Sequence, residues 1–119
     1  MIEPKFVDQI EERLGYRPIF HDDYISKITL DSSNIILEFK FLKHNAKFFK
    51  EHEMKEDFGL CVQFNNVSDV IFEESGFCNG VATLIFQFNL EIINDVIEIE
   101  VDPSCGYYFR FHAQSYLIL

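Results

Sequence analysis

From Tyr24 to the C-terminus the apolar residues recur at every second position, and that spacing confines most of the chain to a β-sheet. Ile28 and Leu30 alternate with Lys27 and Thr29. After the turn cluster Asp31-Ser32-Ser33-Asn34, the residues Ile35, Leu37, Phe39 and Phe41 alternate with Ile36, Glu38, Lys40 and Leu42. Two such runs around a short polar turn predict a hairpin. Strands are expected again over Leu60–Phe64, Val67–Glu73, Ala82–Leu90, Val96–Val101, and from Tyr107 through Leu119. Ala82, Leu84, Phe86, Phe88 and Leu90 are expected to line one face. Val81 and Ile85 make the opposite face partly apolar, which predicts a central strand. Asp102 to Gly106 reads as a turn.

The helical period appears only at the start. Phe6, Val7, Ile10 and Leu14 fall on one side of a predicted helix over residues 4–14. Pro4 suits its first turn, where the missing N–H is no loss, and Gly15 and Pro18 end it. The segment 43–57 breaks the strand pattern and reads as a loop or a short helix capped by Asn45. The expected fold class is therefore α+β. An antiparallel sheet of about seven strands carries the N-terminal helix, and residues 24–119 form the β-rich body of a single domain, 1–119.

At 119 residues the chain is one domain's length. No apolar run reaches the ~20 residues of a membrane-spanning helix. The N-terminus is acidic and amphipathic and is not expected to be a signal peptide. Three cysteines, Cys61, Cys78 and Cys105, stand at spacings that match no zinc or redox motif. Three reduced thiols in a cytoplasmic protein are the simplest expectation.

Charge carries the functional reading. The net charge is −10, with 14 Phe and no Trp. Aromatic rings on a basic surface would suit single-stranded nucleic acid, but this chain repels phosphate and anionic membranes. The charge is also uneven. Residues 1–55 hold ten acids and nine bases, whereas residues 56–109 hold ten acids and no Lys or Arg. Glu91, Asp95, Glu98, Glu100 and Asp102 gather around one predicted hairpin. They mark either a solvated surface or a face for a basic protein. Glu98 and Glu100 share a strand face about 7 Å apart, a separation that glycoside hydrolysis can use, but same-strand pairs of this kind are usually the wet side of a sheet. Phe20-His21-Asp22-Asp23 is the other dense polar group, and it lacks a partner ligand at metal spacing. No nucleophile–base or phosphate-cradle pattern occurs. No enzyme activity, cofactor or metal is expected.

The order of several short motifs resembles the immunity protein 50 family of bacterial polymorphic-toxin systems. They are Phe20-His21-Asp22 before a strand ending Leu30-Asp31, Leu60-Cys61-Val62-Gln63-Phe64, Val67-Ser68-Asp69-Val70, Gly76-Phe77, Ile99-Glu100-Val101-Asp102-Pro103, Gly106 and Phe109-Arg110-Phe111. The likeness runs from about residue 15 to the C-terminus. The family often has Trp before its Pro, where this chain has Gly15-Tyr16-Arg17-Pro18. It also tends to have Gln-Asn after Gly-Phe, where this chain has Cys78-Asn79-Gly80. The resemblance implies a non-enzymatic protein that binds and neutralises a cognate toxin, and the net charge adds the expectation of no nucleic-acid or membrane partner. A small-ligand binder and a structural subunit assembling through a sheet edge are the competing classes.

Overall fold

The computed structural model describes residues 1–46, 54–76, 78 and 80–119. It contains helix α1 (Pro4–Leu14), strands β1 (Tyr24–Asp31) and β2 (Asn34–Phe41), the short helix α2 (Lys43–Ala46), and strands β3 (Phe58–Asn65), β4 (Ser68–Glu74), β5 (Thr83–Ile93), β6 (Val96–Ala113) and β7 (Ser115–Ile118). All strand pairs are antiparallel, in the order β4-β6-β5-β1-β2-β3-β7. The predicted α+β class, the N-terminal helix and an antiparallel sheet of seven strands are present, but the strands expected at Val96–Val101 and from Tyr107 run on as one, β6, and the last expected strand breaks at Gln114, so that its end forms β7.

Helix α1 begins at Pro4 in its first turn and stops at Gly15, whose left-handed φ of 86° lets its N–H reach the Glu11 carbonyl at 2.8 Å. Its apolar stripe closes one end of the core. Phe6 packs on Phe20, Phe88 and Tyr116 at centroid distances of 6.4, 6.0 and 5.2 Å. Asn45 does not cap α2 as expected; it lies within it and donates to Asp23. Residues 47–53 of the predicted loop or helix lie outside the described residues.

Strand β6 is too long to be straight. A straight strand would separate Glu98 from His112 by about 46 Å, yet their side chains approach to 3.6 Å. Tyr108 Oη also donates to Glu100 at 2.7 Å. The strand therefore doubles back through Asp102–Gly106, where the sequence predicts a turn. The two ends of the sheet also meet. Phe64 and Asn65 of β3 pair with Tyr116 and Ser115 of β7, and Ser68 of β4 pairs with His112 of β6 in the same register. The Gln114 N–H, donated to the Asn65 carbonyl, bridges the step. Strands β3–β4 and β6–β7 thus form one interrupted ladder, and the sheet curls around its core.

Two expectations are corrected. The face expected along β5 does not persist, because bulges between Leu84 and Ile85 and between Ile85 and Gln87 shift its phase. Ile85 is buried and Phe86 is half exposed. The three cysteines are not all thiols. Cys78 and Cys105 form a disulfide with a Cα–Cα distance of 5.5 Å, and Cys61 alone is free. The fold-back of β6 brings Cys105 opposite Leu84, beside the segment that leads from β4 to β5. A spacing of 27 residues could not reveal that proximity. The cytoplasmic setting expected from three thiols loses its argument, since such a bond persists where cellular reductants do not reach it.

Two tests follow from this geometry. Titration of the denatured, unreduced protein should find one thiol, and three after reduction. The chain-entropy estimate for the closed loop is about 3–4 kcal/mol, which chemical denaturation with and without reductant will measure. Gly106 has φ +97°, and a Cβ there would lie 2.2 Å from the Ala82 carbonyl oxygen. Gly106→Ala should destabilise by at least about 2 kcal/mol. Gly59→Ala, which meets only the movable end of Lys40, should cost much less in the same denaturation series.

Candidate functional site

The outer face of the β5–β6 hairpin gathers the acids. Glu91 stands directly opposite Glu98, and Asn89 opposite Glu100. Residues that face each other across an antiparallel pair share one side of the sheet. Asn89, Glu91, Glu98 and Glu100 line a small depression of about 190 Å³. The fold-back of β6 and its pairing with β4 extend this face with residues the sequence did not single out. His112 Nδ1 lies 3.0 Å from Asp69 Oδ2, and its Nε2 lies 3.6 Å from Glu98. Glu73 pairs with Tyr108. A second hollow of about 460 Å³ is lined by Asp69, Val70, Ile71, Glu98, Arg110 and His112. Arg110 and His112 are the basic groups among these lining residues.

The five predicted acids are not equivalent. Glu91 and Glu98 are half exposed and face each other. Glu100 is partly engaged, accepting from Tyr108 and Asn89. Its carboxylate holds the Tyr108 phenol above its ordinary pKa through that hydrogen bond. Asp95 sits at positive φ in the turn between β5 and β6, away from the facing pair. Asp102 pairs with Gln87 beside the β5 bulge.

The motif Phe20-His21-Asp22 is a clasp. Phe20 is fully buried and stacks on Phe88 at 4.8 Å. The Asp22 N–H donates to the Ile85 carbonyl, and the Ile85 N–H donates to the Asp23 carbonyl, both at 2.9 Å. His21 Nδ1 lies 2.7 Å from the Phe86 carbonyl oxygen. These bonds fasten the segment before β1 to the bulged part of β5. The Gly76 carbonyl accepts the Gly106 N–H. Phe77 and Asn79 lie outside the described residues.

The Cys61 thiol is pushed up by burial and by the neighbouring Glu38 carboxylate, which keeps it protonated. Among the described residues, no group of three His, Cys, Asp or Glu side chains is disposed to hold a metal ion. No described helix is long and apolar enough to cross a membrane. Comparison with family models, curated proteins and solved structures returns no match to this chain.

Among the described residues Asp23 is the one buried carboxyl, at 2% exposure. It accepts from the Leu42 N–H and from Asn45 Nδ2, both at 2.9 Å, and so ties the start of β1 to the end of β2 and α2. Burial raises its pKa from 3.8 to about 6, against the opposing pull of those two hydrogen bonds. Burial and the Asp23 charge raise the Tyr16 phenol to about 12. Between pH 4 and 6 the folded protein holds a proton on Asp23 that the unfolded chain releases. Stability should therefore fall as pH rises from about 4 to about 6, and this contribution should be constant above that. Asp23→Asn keeps an acceptor for the Leu42 N–H and should flatten this segment of the profile, measured by urea denaturation at successive pH values.

Proposed function

We propose that the chain is a non-enzymatic inhibitor that binds and neutralises a basic bacterial toxin through the acidic outer face of the β5–β6 hairpin. One observation carries this reading: Glu91 and Glu98 lie directly opposite each other. Like charges so placed repel; no Lys or Arg occurs between residues 56 and 109, and the cations that border the face are Arg110, His112 beside Glu98 and the Met1 ammonium beside Asn89. A cationic partner relieves that repulsion. Nuclease toxins hold phosphate and are often basic, so a carboxylate face suits their surface. The order of motifs that resembles the immunity protein 50 family supports the same class. Where the inhibitor meets its toxin belongs to this proposal too: a cytoplasmic meeting place requires Cys78 and Cys105 to stand as thiols there.

The test is growth rescue. Co-expression of this chain should restore growth to cells producing the protein encoded by the adjacent open reading frame. Association of the two purified proteins should be fast and should slow with salt as the Debye length falls from ~10 Å at 0.1 M to ~3 Å at 1 M. Exchanging Glu91 and Glu98 together for Lys should slow association by about 10–100-fold and leave unfolding stability within about 0.5 kcal/mol. Unchanged rates and salt slopes would move the interface off this face. Absence of rescue by the wild-type chain would remove the toxin-inhibitor reading.

A further inference from the structure

Among the described residues, part of the core-facing surface lies open. Ile28 and Leu30 stand opposite the buried Leu37 and Ile35, so they point to the core side of the sheet. Phe72 stands opposite the buried Phe109 and stacks on it at 5.1 Å, and Tyr107, two residues before Phe109, shares its side. Yet Leu30 is 69% exposed, Tyr107 41% and Phe72 39%. These side chains line a groove of about 570 Å³. Core-directed apolar surface without a cover is unusual and marks a docking place.

Strand β4 borders that groove and is exposed along its whole length. It pairs with β6 on one side only. Among the described residues no backbone group pairs with its other edge. Just beyond β4, the Ser75 N–H is given to the Gly106 carbonyl on the β6 side. Backbone N–H groups alternate along a strand, so those of Phe72 and Glu74 point to the free edge. Free edges of this kind receive an added strand. The two faces of β4 differ in chemistry. Its core side carries Phe72 beside the apolar groove, with Glu74, opposite Tyr107, at the end of that side. Its outer side carries Asp69, turned to His112, and Glu73.

We infer that β4 accepts an extended segment of a partner protein in which apolar and basic residues alternate. Its apolar side chains enter the groove of Leu30, Phe72 and Tyr107, and its Lys or Arg residues meet Asp69 and Glu73. This deepens the proposed function and rests on its basic partner, adding how that partner is held. A second copy of this chain is a poor occupant. Pairing β4 with β4 would bring Asp69, Glu73 and Glu74 against the same acids, across a net charge of −10 on each chain.

The probe is a short end-capped peptide in which lysine alternates with valine and phenylalanine. Its controls are the same residues in two blocks and the alternating peptide with glutamate in place of lysine. Binding is measured by fluorescence anisotropy, with amide exchange of the protein followed by nuclear magnetic resonance. The alternating basic peptide should bind at least about tenfold more tightly than either control and should slow exchange at Phe72 and Glu74. Glu74→Pro, which removes an outward N–H, and Leu30→Ser, which removes exposed apolar surface, should each weaken it by a similar factor. Glu74→Gln should bind like the wild type, and the amide spectra will show that each variant is folded. Equal binding of the alternating and block peptides, unaffected by Glu74→Pro, would overturn strand addition and leave the basic-partner reading intact. Failure of every basic peptide to bind would also overturn it, while growth rescue judges the toxin reading separately. A homodimer abolished by Glu74→Pro would assign the edge to a second copy and overturn the proposal.

Discussion

The structure depends on one interrupted ladder, in which β3 and β4 pair in succession with β7 and β6. Each strand leaves its register briefly, at Asn66-Val67 and at Gln114, and resumes it on the far side. That continuity joins the two ends of the sheet and gives the core an inside. Phe64 on β3 and Phe111 on β6 meet edge to face at 5.3 Å within it. Without the ladder, β4 and the β5–β6 hairpin would be an appendage, and the acids of β6 would not meet Asp69.

Closing a sheet demands sharp local curvature, and the chain supplies it at identifiable points. The bulges of β5 change which side its residues face, and Gly106 lets the returning arm of β6 pass within contact of Ala82 and Thr83. Thr83, fully buried, exchanges hydrogen bonds with the Tyr107 backbone through its hydroxyl, at 2.9 Å to the carbonyl and 3.2 Å from the N–H. The Cys78–Cys105 bond ties the β4–β5 connection to the same place. One end of the core is then plugged by Phe6 of α1, and among the described residues Leu30, Phe72 and Tyr107 are left exposed on the core side. The candidate binding features share this origin, since the fold-back of β6 sets both the acidic face and the wall of the groove.

Much of this was legible in the chain. The helix shows in the spacing of Phe6, Ile10 and Leu14 between Pro4 and Gly15, and the β1–β2 hairpin in alternation around Asp31-Ser32-Ser33-Asn34. Glu91, Glu98 and Glu100 are recognisable as a group because the turn at Asn94-Asp95 separates them by little sequence. Asp69 and His112 are not, because their proximity to Glu98 depends on strand pairing between distant segments, and Glu73 reaches this face only by pairing with Tyr108. Phe20-His21-Asp22-Asp23 reads as a polar cluster, yet its bonds are structural. Its position between the bulged β5, the end of β2 and α1 explains why Phe20 and Asp23 are buried.

Periodicity, turn positions and the uneven placement of charge can be read along the chain, because these depend on neighbours a few residues apart. The phase of β5, the disulfide, the pairing of β4 with β6 and the open mouth of the core were decided only by tertiary structure. Each of them depends on register between segments distant in the chain. A shift of one residue in a ladder turns a side chain to the opposite face of the sheet, and no local pattern records which register closes.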